Sequence, residues 1–398
     1  MCGISGCIVN QKLSPDTIKN TLNLMRKRGP DCQSYKIYKF SNKLLYLFHS
    51  RLSIIDLSER SNQPYSISGY HLIFNGEIYN YIELKNKYLS DVNFKTTSDT
   101  EVLLQLYIKY QDNIEDKLEG MWSFVIYNEN NNTLYVSRDR FGEKPFYYFT
   151  NQKSFFFGSE IKFIKSLISF NLNKNFETIK RFLVYGYKSI YKKNTSFFKD
   201  INILKQSHSM TLDSNLNIKF NKYWKPKISQ NSMNLNENVE IVKNLIEKSL
   251  KLRLRSDVPV AFNLSGGIDS GSLVSMARKF YSSDLHTFSV IDDDPRYDES
   301  KNIEIIVNKF NTKHTNINIK NYLDFNSLNN LIKNHDQPVS TINYFAHSVL
   351  QSKISESGFK VSISGTAADE IFAGYWDHHL FYLYDNIDSD NYDLSLSN

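Results

Sequence analysis

The stretch Val258–Ala277, VPVAFNLSGGIDSGSLVSMA, sets the terms for the rest of the chain. The run Val258–Leu264 is apolar, short and bounded by Pro and Gly, which is the pattern of a buried strand. Beyond the loop Ser265-Gly266-Gly267-Ile268-Asp269-Ser270, the residues Leu273, Val274, Ala277 and Phe280 recur at helical spacing. A strand, a Gly-rich turn and a helix start predict an anion site, because backbone N–H groups and the helix dipole converge on one point. Gly266 and Gly267 let the backbone approach an oxyanion, and Ser265, Ser270 and Ser272 offer hydroxyls. Asp269 would repel phosphate unless a metal ion lies between them. The loop therefore reads as a metal–nucleotide or pyrophosphate site, with a ligand-free βα turn as the plain alternative. A P-loop is excluded: Gly266 and Gly271 have its spacing, but Ser272 stands where its lysine belongs, and no GxGxxG follows a strand.

Composition bounds the remaining choices. At 398 residues, 41% hydrophobic and 23% charged, the chain suits two globular domains. The net charge of +6 is spread among interspersed acidic and basic residues, so no nucleic-acid partner is expected. No segment approaches the roughly 20 apolar residues of a membrane span, and the N-terminus lacks a signal-peptide core. Three cysteines without metal-ligand spacing fit a reducing compartment, so the expected location is the cytoplasm.

The chain opens Met1-Cys2-Gly3-Ile4-Ser5-Gly6-Cys7. Removal of Met1 would leave Cys2 with both a thiol and a free α-amine. The amine, with a pKa of about 7.7–8.0, can act as base for the thiol, whose pKa is about 8.5. Cys7 and Cys32 are expected to be small buried residues. Further segments follow in order: Arg28-Gly29-Pro30-Asp31, Arg51-Leu52-Ser53-Ile54-Ile55-Asp56, Asn75-Gly76-Glu77-Ile78-Tyr79-Asn80 and Ser98-Asp99-Thr100-Glu101. After these come Arg138-Asp139-Arg140-Phe141-Gly142-Glu143-Lys144-Pro145 and Phe157-Gly158-Ser159-Glu160. This series resembles the class II glutamine amidotransferase domain of the asparagine synthetases. The resemblance implies an N-terminal-nucleophile hydrolase fold, two sheets between helix layers, over residues 1–205.

The residue chemistry agrees with that resemblance. A glutaminase must attack a neutral amide, hold an oxyanion and grip an amino acid at both charged ends. Asn75 carries an N–H₂ and Gly76 leaves its backbone N–H unobstructed, as an oxyanion hole requires. Arg51 offers a planar fork for the glutamine α-carboxylate. Asp99, with Glu77 nearby, can accept from the α-ammonium. Leu52, Ser53, Ile54 and Ile55 complete the glutamine-binding segment that the resemblance implies. Taken singly, Asp99 could instead be a helix N-cap and Asn75-Gly76 a tight turn.

Alternating or apolar runs predict strands at Ile4–Val9, Leu44–Phe48, Leu72–Phe74, Phe124–Tyr127, Leu134–Val136 and Phe146–Phe149. Helices are expected after Ser14, at Ile78–Tyr88 and at Asp99–Tyr110. An antiparallel pair over Ile203–Trp224 and a polar linker over Lys225–Asn236 make residues 206–236 the connection. From residue 237 to 398, a helix beginning at Glu237 leads into the Val258 strand. Further strands at Thr287–Ile291, Thr315–Ile319 and Val361–Ser364 alternate with helices, predicting a doubly wound parallel sheet with its site at the strand C-termini.

SGGIDS resembles the pyrophosphate loop of the N-type ATP pyrophosphatases, and this half is similar to the synthetase domain of asparagine synthetase. The resemblance implies that Leu264, Val290, Ser364 and Gly365 contact adenine and ribose, beside the phosphate-binding Ser265, Gly266, Gly267, Asp269 and Ser270. Asp269 and Asp369 would hold Mg²⁺ on the pyrophosphate, a task suited to carboxylates. Helix capping is the bland alternative for Asp369-Glu370. Two departures stand out. The family motif SGEGADE reads Ser364-Gly365-Thr366-Ala367-Ala368-Asp369-Glu370 here, and the chain stops at Asn398, where family members continue with a helical region.

The leading expectation is a glutamine-dependent, ATP-consuming amidotransferase that converts a carboxylate, aspartate foremost, to an amide through an acyl-adenylate. A second reading changes the acceptor, for example to a sugar uronic acid. A third is a glutaminase-only or non-catalytic relative. A homodimer is left open.

Overall fold

Strands that are apolar on both faces must be covered on both, and the N-terminal half is built from such strands. The computed structural model describes residues 1–111, 113–151, 153–187, 195–228, 233–281 and 284–385. Its chain divides into two units. One comprises Met1–Leu245, Leu252–Val258 and Asp324–Phe345; the other comprises Ile246–Lys251, Pro259–Leu323 and Ala346–Asn398.

The first unit carries β1 (Gly3–Val9), β2 (Cys32–Phe40), β3 (Lys43–Arg51), β4 (Tyr65–Ile67), β5 (Tyr70–Ile78) and β6 (Gly120–Asn128). It continues with β7 (Thr133–Arg138), β8 (Tyr147–Thr150), β9 (Phe155–Gly158), β10 (Asn202–Ile203), β11 (His208–Leu212) and β12 (Ile218–Lys222). Its helices include α1 (Pro15–Met25), α2 (Tyr81–Tyr88), α3 (Asp99–Tyr110), α4 (Ile161–Leu167) and α5 (Phe176–Tyr185). Two sheets form, in the orders β10-β8-β9-β1-β3-β2 and β12-β11-β7-β6-β5-β4.

Alternation along each strand assigns the layers. Ile4 and Ile8 of β1, Leu45 and Leu47 of β3, Ile73 of β5, Val125 of β6 and Phe157 of β9 share the core between the sheets. Their neighbours Cys7, Tyr46, Phe48 and Phe156 turn the other way, against Met25 of α1 and Phe163 and Ile164 of α4. Leu72, Phe74, Phe124 and Ile126 likewise pack against Leu84 of α2 and Val102, Leu103 and Leu106 of α3. The result is the expected αββα sandwich.

The strand β2 was not expected. Its sequence CQSYKIYKF is polar, and it survives as the edge of its sheet, where Tyr35 and Ile37 remain exposed. Cys32, at the start of this edge, is only partly buried, whereas Cys7 is fully buried. The antiparallel pair in the connection is present as β11 and β12. Residues 229–232 of the expected linker, and 386–398 at the chain end, lie outside the described residues.

The C-terminal half continues with α6 (Leu235–Arg253), β13 (Val260–Asn263), α7 (Ile268–Arg278), β14 (His286–Ile291), α8 (Ser300–Phe310) and β15 (Lys313–Asn318). Then follow α9 (Phe325–His335), α10 (Asn343–Glu356), β16 (Val361–Ile363), α11 (Ala368–Phe372) and α12 (Trp376–Asp385). The sheet order is β15-β14-β13-β16, and every neighbouring pair is parallel. The expected parallel sheet is thus present, with the Ser265–Ser270 loop leaving the C-terminal end of a central strand. Among the described residues, no helix is long and apolar enough to cross a membrane.

Ala367 sits at φ +80°, a left-handed conformation that costs a residue with a Cβ about 1–2 kcal/mol. It occupies a position where the motif it resembles has glycine. Ala367→Gly should therefore stabilise the second unit by about 0.5–1 kcal/mol, after subtracting the extra freedom glycine gives the unfolded chain. A raised urea midpoint checks this; an unchanged or lowered midpoint would mean that the alanine sits there without strain.

Candidate active site

Cys2 immediately precedes β1, and residues from three distant segments surround it. The Leu52 N–H points at Cys2 Sγ, 3.4 Å away. Arg28 Nε donates to the Cys2 carbonyl at 2.9 Å while its Nη1 bonds Glu160 Oε1 at 3.0 Å. Asp31 Oδ2 accepts the Ser53 N–H at 2.7 Å, holding the Leu52–Ile55 segment. Gly29 must be glycine, because a Cβ there would run into the Ser50 carbonyl. Burial pushes the Cys2 thiol pKa up, opposed by the neighbouring N-terminal charge and the Leu52 N–H. Burial also depresses the amine of Met1, to about 5.

The strand β5 supplies the second wall. Tyr79 donates its N–H to Glu119 at the end of the β5–β6 ladder, so the odd-numbered residues of β5 bond towards β6. The even-numbered residues face the opposite edge, where β4 pairs only as far as Leu72. Along that edge Phe74 N–H donates to Gln63 Oε1 at 2.6 Å, and Ile78 N–H donates to Asp99 Oδ2 at 2.9 Å. Gly76, between them, has no hydrogen-bond acceptor among the described residues. A Cβ on Gly76 would strike the Met121 carbonyl and the Phe74 ring. The side chain of Asn75 is fully buried, and both its Oδ1 and Nδ2 lack partners among the described residues. Two donors thus sit side by side with nothing to donate to.

Charged groups complete this end of the sandwich. Arg51 is buried and gives Nη1 to the Ser58 carbonyl at 2.7 Å and Asn62 Oδ1 at 2.9 Å, and Nη2 to the Asp56 carbonyl. Three of the guanidinium's five N–H groups are spent on this loop, leaving two. Asp99 is buried at the first position of α3, and burial pushes its carboxyl up to about 6 against the Ile78 and Thr100 N–H bonds. Glu77 is pushed upward by burial and then by the charge of Asp99. The helix cap is Ser98, whose side chain accepts from Thr100 N, so Asp99 is not the N-cap. Asn75-Gly76 lies within β5 and is not a turn.

In the second unit the helix α7 starts from the Gly-rich loop. Ser265 N–H donates to Ser270 Oγ at 3.1 Å, and Gly267 N–H donates to Ser265 Oγ at 3.3 Å. Gly266 has φ +83°, the conformation glycine permits. The cap residue is Gly267, and Asp269 falls in the first turn without a capping bond. Leu264 N–H donates to the Phe288 carbonyl at 2.9 Å, and Ser289 Oγ bonds the Leu264 carbonyl, so the start of the loop after β13 is tied to strand β14. Val290 is near the C-terminal end of β14. The loop Ser364–Ala367 leaves β16 beside β13, and a Cβ on Gly365 would lie 3.0 Å from Asp269 Cβ. Ser364 Oγ and Thr366 Oγ1 are 2.5 Å apart. Asp369 is in the first turn of α11, whose cap is Ala367, and Glu370 Oε1 accepts from the Tyr375 hydroxyl at 3.0 Å.

No three His, Cys, Asp or Glu side chains come together as a metal cage among the described residues. Asp269 and Asp369, in the first turns of the helices that follow the adjacent strands β13 and β16, are nevertheless of the residue type that suits Mg²⁺, which takes its other ligands from phosphates and water.

Three buried polar residues near Cys2 and Asn75 carry no role in the sequence reading. Lys144 is held by its loop, in which Asp139 accepts the N–H groups of Phe141, Glu143 and Lys144. Its Nζ lies 3.2 Å from Met1 Sδ, and burial followed by the charge of Arg28 depresses its pKa. Its place in the segment Arg138–Pro145 was the available signal. Gln63 and His49 lay in no quoted segment, although His49 stands two residues before Arg51 on the same strand face.

The comparisons with known proteins cover nearly the whole chain. Residues 1–224 match the glutamine amidotransferase domain family, and residues 241–390 match the asparagine synthase family. A chain of Methanocaldococcus jannaschii described as an asparagine synthetase [glutamine-hydrolyzing] is 34% identical, covering 95% of this chain and 76% of its own. Asparagine synthetase [glutamine-hydrolyzing] 3 of Bacillus subtilis is 32% identical, covering 95% of this chain and 64% of its own. Amidase chyE of Penicillium rubens is 28% identical, covering 94% of this chain and 59% of its own. The chain thus spans 59% to 76% of the length of these relatives. On these matches the protein belongs to the glutamine-hydrolysing asparagine synthetase family.

Proposed function

We propose that the first unit hydrolyses glutamine at Cys2 and that the second uses the ammonia to amidate an ATP-activated carboxylate. The observation that carries this reading is the buried Asn75 amide, which has no partner among the described residues, next to the Gly76 N–H on the edge of β5 that β4 leaves open. Once Met1 is removed, the α-amine of Cys2 takes the thiol proton. The burial that depresses the Met1 amine would likewise keep the Cys2 amine neutral, with its lone pair free for that proton. The thiolate attacks the glutamine Cδ, and the oxyanion accepts from Asn75 Nδ2 and Gly76 N–H. As the intermediate collapses, the α-ammonium of Cys2 returns the proton to the departing nitrogen, the C–N bond breaks to release ammonia, and a γ-glutamyl thioester remains for water to hydrolyse. The two free N–H groups of Arg51 receive the glutamine α-carboxylate, and Asp99 with Glu77 receives the α-ammonium. Leu52, Ser53, Ile54 and Ile55 wall the side chain.

In the second unit a carboxylate oxygen attacks the α-phosphorus of ATP, releasing pyrophosphate and forming an acyl-adenylate. Ammonia then displaces AMP to give the amide. Ser265, Gly266, Gly267 and Ser270 cradle the phosphates, while Leu264, Val290, Ser364 and Gly365 border the base and ribose. Bound Mg²⁺, held by Asp269 and Asp369, would screen the phosphate charge. Aspartate is the first-choice acceptor. Thr366, standing where the related motif has an acid, supports a second reading with another carboxylate such as a sugar uronic acid. An acceptor screen for pyrophosphate release separates the two.

Cys2→Ala should abolish glutamine-driven synthesis and glutaminase activity while sparing synthesis from added ammonium. Equal loss of both activities would instead assign Cys2 to folding. Asn75→Ala should lower glutamine kcat by about 10²–10³ with little change in KM, because the oxyanion exists only near the transition state. A raised KM at unchanged kcat would place Asn75 in ground-state binding.

A further inference from the structure

We infer that His49 is a positioning residue for the oxyanion hole, acting through the Phe74 carbonyl one residue before Asn75. The inference rests on the glutaminase reading of the first unit. Beyond Leu72 the edge of β5 has lost its partner strand β4, so Phe74 presents both its N–H and its C=O to that edge. Side chains replace the missing strand. Gln63 Oε1 takes the N–H at 2.6 Å, and His49 Nε2 lies 3.1 Å from the carbonyl. Two residues further along the same edge comes the Gly76 N–H, and between them the Asn75 side chain.

The geometry fixes the state of the ring. A carbonyl can only accept, so Nε2 carries the hydrogen. His49 is buried on β3, on the strand face it shares with Leu47 and Arg51, opposite Ile4 of β1. Burial depresses its pKa to about 3, the Phe74 carbonyl opposing and the Arg51 charge adding to the shift. It is therefore a neutral donor at working pH. Its Nε2 is committed to Phe74, which excludes that atom as the base for Cys2. Gln63 is anchored in turn, its Nε2 donating to Thr100 Oγ1 at 3.3 Å and its carbonyl accepting from the Ser34 hydroxyl. Loss of the His49 bond would leave Phe74 C=O unpaired and let β5 shift where a small displacement misaims both donors.

The test compares His49→Met, which keeps volume without a donor, with His49→Gln, which keeps a neutral N–H. Glutamine hydrolysis by the Met1-processed full chain is measured, with urea midpoints as folding controls and Cys2→Ala alongside. His49→Met should lower kcat by about 10–100-fold with KM within about 3-fold, and His49→Gln should restore kcat to within about 5-fold of the parent. In an Asn75→Ala background, His49→Met should cost less than about 3-fold more, because both changes disable one device. The inference is overturned if folded His49→Met keeps full kcat, if the loss appears in KM alone, or if the two losses multiply. If His49→Met does not fold, His49→Gln decides alone: a folded Gln variant with parental kcat supports the inference and a poorly active one overturns it. Turnover that survives in Cys2→Ala would overturn the glutaminase reading itself, a result distinct from any of these.

Discussion

A buried N–H that finds no acceptor costs about 1–3 kcal/mol, and along the free edge of β5 Phe74 and Ile78 have acceptors while the half-buried Gly76 has none among the described residues. The neighbouring Asn75 amide is unpartnered as well. The surrounding fold carries these costs: β5 is paired with β6 along its length, and helices α2 and α3 cover its outer face. Gln63, His49 and Asp99 saturate the flanking backbone groups, so the unsatisfied donors are confined to two adjacent residues. On the proposed reading, this polar, unpartnered spot in an otherwise satisfied sandwich is where a negative oxygen arrives with the substrate.

The charges at the same end have a complementary logic. Arg51 both braces the Asp56–Asn62 loop and retains two N–H groups. Asp99 and Glu77 crowd each other in a buried setting that raises both pKa values, so an arriving ammonium would relieve their repulsion. On the proposed reading, the spare N–H groups of Arg51 and the two carboxylates receive the two ends of a zwitterion. An α-amino acid with a side-chain amide would, on that reading, satisfy these groups together.

Much of this was legible in the sequence because the informative residues are ones whose chemistry is hard to explain otherwise. Cys2, Asn75-Gly76, Arg51 and the loop Ser265–Ser270 each combine an unusual side chain with backbone freedom at a strand end or edge. The parallel sheet was legible from its alternation of apolar runs and helical patterns. The strand β2 was not, because an edge strand needs no apolar face and leaves no periodic signal. His49 and Gln63 were invisible for a different reason. Their work is to stand in for backbone, and a side chain replacing a missing strand is recognised only once the strand's absence is seen. The capping alternatives for Asp99 and Asp369 were resolved only by placement, with Ser98 and Ala367 at the caps.

The central claim is that a processed N-terminal Cys2, beside donors waiting for an oxyanion, is the nucleophile that attacks glutamine. A glutamine-shaped diazoketone, which alkylates a thiolate only after binding as substrate, tests it directly when followed by intact-mass and peptide mass spectrometry. The account predicts loss of Met1 and a single adduct on the resulting N-terminal Cys2, slowed by excess glutamine and absent from chain that retains Met1. Adduct on the partly exposed Cys32 instead, or equal labelling of unprocessed chain, would contradict it.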